Sequence, residues 1–124
     1  MPPAGDRGQS TVEFALVLPL LVVTLVGLVH MGVLARDQVL VAHAAREAVR
    51  AAAVDPDPEA AEQAAKASGP LSPSRLEVET RNRGGPGSRV TVAVSYLAVN
   101  PIPLLRNVVH DRRLTAQATM RVER

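Results

Sequence analysis

The chain contains no cysteine and no tryptophan, and only one phenylalanine (Phe14), one tyrosine (Tyr96) and one lysine (Lys66). Without cysteine there is no disulfide framework, no thiolate nucleophile and no cysteine-based zinc or iron–sulfur site in any redox compartment. Two aromatics are too few for a base-stacking platform on single-stranded nucleic acid. A net charge of +2 spread over 14 basic and 12 acidic residues is not a nucleic-acid footprint. Clustered ligands are also scarce: His30, His43 and His110 fall in three separate segments. Ser95 lacks the glycines of a nucleophile elbow, and the only close acid pair, Asp55 and Asp57, sits among prolines. The sequence predicts no enzyme, no metal and no cofactor. A length of 124 residues fits one small domain with an appendage and excludes a multidomain enzyme.

What is present is unevenly placed. Residues 14–35, FALVLPLLVVTLVGLVHMGVLA, run for 22 positions without a formal charge. As a helix they would extend about 33 Å, enough for the hydrocarbon core of a bilayer. The remaining chain is too small to surround such a segment on all sides, so a spanning helix is expected over residues 9–35 rather than a core helix. A secretory signal peptide has a shorter apolar stretch and a more basic start, yet Val33-Leu34-Ala35 would serve as a cleavage site. A secreted domain cut after Ala35 therefore stays open. Arg7 on one side and Arg36, Arg46 and Arg50 on the other leave the orientation open by charge alone. His30 reads as an interfacial anchor, and Pro19 as a position that removes a hydrogen bond to Ala15.

The mouth of the apolar run reads Arg7-Gly8-Gln9-Ser10-Thr11-Val12-Glu13-Phe14. A carboxylate at the head of a spanning helix is costly and calls for compensation. Ser10-x-x-Glu13 fits a capping box, which would account for Glu13 by local chemistry. Glu13 is also the fifth residue after Gly8 and is followed by an aromatic and an aliphatic run. That arrangement resembles the signal of type IV prepilins, in which a membrane aspartyl protease cuts after the glycine. With the Ala- and Arg-rich continuation at Ala42–Ala53, residues 7–54 are similar to TadE-like proteins, minor pilins (pseudopilins) of the tight-adherence (Tad/Flp) type IVb pilus. TadG-like relatives share the motif but tend to be larger, and major Flp pilins are shorter with Tyr after the Glu.

The resemblance implies cleavage between Gly8 and Gln9 by a prepilin peptidase, with residues 1–8 as leader and Glu13 and Phe14 as docking residues. It further implies other pilin subunits, the Tad assembly machinery and membrane lipid as partners. The N-terminus would be cytoplasmic, with residues 36–124 extracytoplasmic and serving pilus assembly and surface adhesion. Physically, a glycine lies extended in a protease cleft at little steric cost. The amine freed on Gln9 would be a cation one helical turn from Glu13, in the same subunit or facing it from a neighbour. An uncleaved single-pass protein with an external domain of unknown role is the other alternative.

Beyond Ala35 a helix is expected over residues 36–54, rich in alanine, with Glu47 beside Arg50. Asp57 as N-cap and Pro58 as first residue start a short helix over 57–68. Then the period changes to two: strands are predicted at about 75–81, 89–99 and 112–123, the first two joined at Gly84–Ser88. Leu104, Leu105, Val108 and Val109 form an apolar patch in the last connection, to cap the core or meet a partner. The sheet needs a lid and the Ala-rich helix is available. The expected fold is α+β and pilin-like: a long N-terminal helix on a small three-stranded antiparallel sheet.

Overall fold

A computed structural model describes residues 6–123; residues 1–5 of the expected leader lie outside them. The element order is α1 (Asp6–Val54), α2 (Pro58–Ala67), β1 (Leu76–Arg81), β2 (Arg89–Ala98) and β3 (Arg112–Arg121), with short 3-10 turns at Pro73–Arg75 and Pro103–Leu105. The fold is α+β, a long N-terminal helix followed by an antiparallel sheet of order β1-β2-β3. The chain divides between Leu34 and Ala35 into two compact units.

The first unit is helix alone. α1 is continuous through Pro19, and the Thr24 Oγ1 donates to the Leu20 carbonyl at 2.8 Å. Its most apolar window has a mean hydropathy of 2.6 and is not buried by any other part of the protein. Leu16, Leu20, Val23 and Leu28 are each about two-thirds exposed or more. Aliphatic side chains displayed around a whole helix lack the polar face that a water-facing helix requires. The helix starts upstream of Ser10, because no proline interrupts residues 6–13. Ser10 is therefore inside α1 and not at its N-cap, which corrects the capping-box expectation.

The second unit is built on the alanines. Val41, Ala44, Ala45, Ala48, Val49 and Ala52, at helical spacing, are all nearly or fully buried on one face of α1. Opposite them lie Val90, Val92, Val94 and Tyr96 of the central strand, also buried. Alternation along β2 sends these four inward, while Thr91 and Ser95 face out. The side chains that α1 contributes to this core are small, alanine and valine only, so the layer between helix and sheet is filled mainly from the sheet side. Arg46 and Arg50 face solvent, and no ion pair joins Glu47 to Arg50.

Register is antiparallel throughout, with Leu76 opposite Tyr96 and Tyr96 opposite Leu114. The outer face is polar: the Thr91 and Thr119 hydroxyls are 2.9 Å apart, and Arg113 donates to Glu77 at 2.8 Å. Arg81 donates to Glu79 at 2.6 Å, and that hydrogen bond holds the Glu79 carboxyl below its ordinary range. Both groups are exposed, so the pair contributes little to stability. Asp57 caps α2 by accepting from the Glu59 N–H at 3.0 Å.

Two contacts fix the direction of α1 against β3. The Gln38 amide donates to the Thr115 carbonyl at 3.4 Å, and the Glu123 N–H donates to the Ala53 carbonyl at 2.9 Å. From Gln38 to Ala53 a helix advances about 22 Å. From Thr115 to Glu123 a strand advances about 26 Å. The two therefore run side by side in the same direction. One end of this unit carries Ala35–Gln38, the start of β3 and the connection 99–111. The other carries Val54, the β1–β2 hairpin and Val122. At that hairpin Gly87 has φ +84° and the Gly87 N–H donates to the Val122 carbonyl at 2.9 Å. A Cβ on Gly84 would approach Ser88 Oγ to 2.9 Å and Ser88 Cβ to 3.1 Å, so a larger residue there would have to displace the Ser88 side chain.

Candidate functional site

The residues singled out by the motif lie on the first turns of α1. Gly8 and Gln9 are helical and exposed, and Glu13 and Phe14 are also exposed, Phe14 at 61%. The Gln9 side-chain amide donates to the Glu13 Oε1 at 3.3 Å. This is an i,i+4 contact, so the carboxylate turns back by one turn toward position 9. Sequence reasoning assigned Gln9 only as a new terminus; its amide is an added feature, signalled by the Gln-x-x-x-Glu spacing. The bond is neutral-to-charged and exposed, and among the described residues no cation forms an ion pair with Glu13.

Glu13 is the only formally charged residue between Arg7 and Arg36. In water this is unremarkable. In a low-dielectric setting an unpaired carboxylate is expensive, and a cation at hydrogen-bond distance would relieve it. Position 9 is where the Glu13 side chain already reaches.

Gly8 has a different interest. A Cβ built there meets nothing within 4 Å. A glycine in a helix costs about 1 kcal/mol relative to alanine, and here no close approach or positive φ requires it. The fold provides no reason for Gly8. The Gly8–Gln9 peptide lies in the first turn of α1, where the leading N–H groups have no intrahelical acceptor and the backbone unwinds at least cost.

His30 has a shielded Nδ1 with no partner, half-buried against its own helix. Among the described residues no group of three or more His, Asp or Glu side chains converges as metal ligands would. Asn100 is a buried polar residue that the sequence did not single out; the Asn-Pro step was its only signal. The Asn100 N–H donates to Asp111 Oδ1 at 3.2 Å, its side-chain amide donates to the Val109 carbonyl at 3.4 Å, and its Oδ1 accepts from the Ile102 N–H at 3.0 Å.

Comparison with protein families finds that residues 8–50 match the model described as TadE-like protein. The matched stretch begins at Gly8, takes in the whole apolar run and ends within the alanine-rich face. Neither the curated proteins nor the solved structures contain a match to the chain.

Proposed function

We propose that this chain is a minor pilin (pseudopilin) of a tight-adherence type IVb pilus, cut between Gly8 and Gln9 by a prepilin peptidase. Residues 9–35 anchor it in the membrane as a single span, with the N-terminus cytoplasmic and residues 36–124 extracytoplasmic. It acts by docking, in pilus assembly and surface adhesion, and not by catalysis. The observation that carries this reading is Glu13: one carboxylate at the head of a bare apolar helix, one turn from a Gly8–Gln9 bond whose glycine serves no purpose in the fold. The match of residues 8–50 to the TadE-like family supports a Tad pilus association.

The chemistry follows from charge. Before cleavage residue 9 presents an amide N–H. Hydrolysis of the Gly8–Gln9 bond replaces it with an ammonium, of pKa about 8 and mostly protonated at neutral pH. That cation can neutralise Glu13 within the subunit or in a neighbouring subunit during packing of the apolar helices. Registers that leave either charge alone in lipid are penalised, so the pair selects one stagger between helices. Phe14, beside it, supplies a large apolar contact at the same level.

Intact mass or N-terminal sequencing of the chain taken from native membranes tests the assignment. A start at Gln9 is expected. A start at Met1 makes the chain an uncleaved anchored domain, and a start at Arg36 makes it a secreted one.

Glu13→Ala tests the docking step separately. The variant is expected to be cut normally but to fall about tenfold or more in sheared filaments relative to mature chain in the membrane, equivalent to at least about 1.4 kcal/mol of lost subunit affinity. Glu13→Gln retains shape and hydrogen-bonding capacity without the charge and should fail similarly. Undiminished incorporation of both variants would remove Glu13 from the docking role.

A further inference from the structure

We propose that the connection 99–111 is a second membrane contact, in which Leu104 and Val108 seat in an anionic lipid surface and Arg106 and Arg112 meet its headgroup phosphates. This rests on the reading that residues 9–35 are membrane-embedded.

The connection is a held structure. Its ends are tied by Asn100, which is 5% exposed and makes the three hydrogen bonds already described. Within it the Leu105 N–H donates to the Ile102 carbonyl at 3.0 Å, and the Val109 N–H donates to the Leu105 carbonyl at 2.7 Å. The backbone is therefore coiled in near-helical turns. Ile102, Leu105 and Val109 are half-buried. Leu104 and Val108, four residues apart, are instead 90% and 75% exposed. In a coil of this kind residues at i and i+4 share a face. A loop facing water alone would carry polar side chains there; this one is held so that two aliphatic side chains project together.

Position within the unit says what those side chains meet. The Gln38–Thr115 and Ala53–Glu123 contacts put the start of β3 beside the start of this unit's helical stretch. The connection returns at Arg112, three residues before Thr115, so it lies at the end of the unit to which the apolar run is covalently joined. The covalent junction at Leu34–Ala35 thus tethers this end, by chain connectivity, to whatever holds the apolar run.

Charge selects the occupant. Arg106 and Arg112 are exposed, and among the described residues neither has a carboxylate within ion-pair distance. Nearby Arg113 is engaged by Glu77, and Arg36 by Asp37 at 3.9 Å. Asp111, exposed in the same connection and held by the Asn100 N–H, offsets one of these charges, so the patch sets a net single positive charge beside two aliphatic tips, which suits an anionic headgroup layer above hydrocarbon. A second copy using the same patch would set these arginines against their own equivalents.

The absence of native cysteine permits a direct test on the full chain. Single variants Leu104→Cys, Gly85→Cys and Leu21→Cys are labelled with an environment-sensitive fluorophore and reconstituted in phosphatidylcholine–phosphatidylglycerol vesicles. Gly85, in the hairpin at the far end, has open space around it. The expected result is a blue-shifted Leu104 label, quenched by lipids spin-labelled near the headgroup and severalfold less accessible to iodide than the Gly85 label. The Leu21 label is quenched by lipids spin-labelled deep in the acyl chain. Equal iodide access at positions 104 and 85, with Leu21 in lipid, overturns the loop contact alone. Protection at 104 that disappears on dilution into excess lipid assigns the patch to a second copy and also overturns it. A Leu21 label untouched by deep quenchers overturns the membrane reading and the loop contact together.

Discussion

Gly8→Leu, expressed in a cell that carries a prepilin peptidase, is expected to accumulate with residues 1–8 still attached. Two effects act in the same direction. A leucine side chain must be accommodated where the cleft would otherwise meet bare backbone. Leucine also favours helix over glycine by nearly 1 kcal/mol, which opposes the local unwinding that exposes the Gly8–Gln9 bond. A combined barrier increase of only about 3 kcal/mol slows cutting by about 100-fold. The folded chain itself has no objection to the substitution, since nothing lies within 4 Å of a Cβ at position 8. Gly8→Ala separates the two effects: it restores helix propensity with minimal bulk and should retain partial processing. Intact mass of the membrane-extracted variants gives the answer, and wild-type maturation of the leucine variant would remove Gly8 from the cleavage site.

The other large effect belongs to the second unit. Ala48 is fully buried, at the centre of the alanine face against β2. Ala48→Leu inserts three heavy atoms at a position with no exposure to solvent. Overpacking of this kind costs about 1–3 kcal/mol. For a unit of this size each kcal/mol lowers Tm by roughly 4–8 °C, so a fall of about 5–20 °C is expected. Arg46→Leu adds an aliphatic side chain two positions away, on the solvent side, and should move Tm little. Tyr96, buried in the same core, is the only tyrosine in a chain without tryptophan, so its fluorescence reports this unit specifically. Equal Tm values for the two variants would show that α1 is not closely seated on the sheet.

These two positions mark where sequence and structure agree and where they part. The sheet was legible because Val90, Val92, Val94 and Tyr96 alternate so regularly with polar residues that only one face can be buried. The helix was legible because residues 39–54 contain neither glycine nor proline and carry seven alanines. Its starting point was not. Ser10-x-x-Glu13 has the spacing of a cap, but spacing does not say whether the helix begins there or several residues earlier. The turn upstream is helical despite Gly8, with no proline in it to break the helix. The apolar connection was visible as composition, while its exposure depended on Asn100, whose three hydrogen bonds join residues up to eleven positions apart. Such closure is tertiary information, and no periodicity encodes it. Gly8 and Glu13 show the reverse: their interest came from the motif, and the structure contributed the absence of any competing structural role for the glycine.

The side-by-side course of α1 and β3 has a mechanical consequence. Suppose a pull is applied between Ala35 and Glu123, at opposite ends of this unit. Cross-strand hydrogen bonds lie across the strands, and therefore across the line of that pull. Within the sheet the β2–β3 ladder is loaded in shear instead of being unzipped, but α1 is joined to the sheet by side-chain packing and by the contacts at Gln38 and Ala53, with no ladder between them. Resistance of this unit to tension along its length is therefore set by how firmly the alanine face of α1 grips the sheet, since the load must cross that layer before it reaches any ladder.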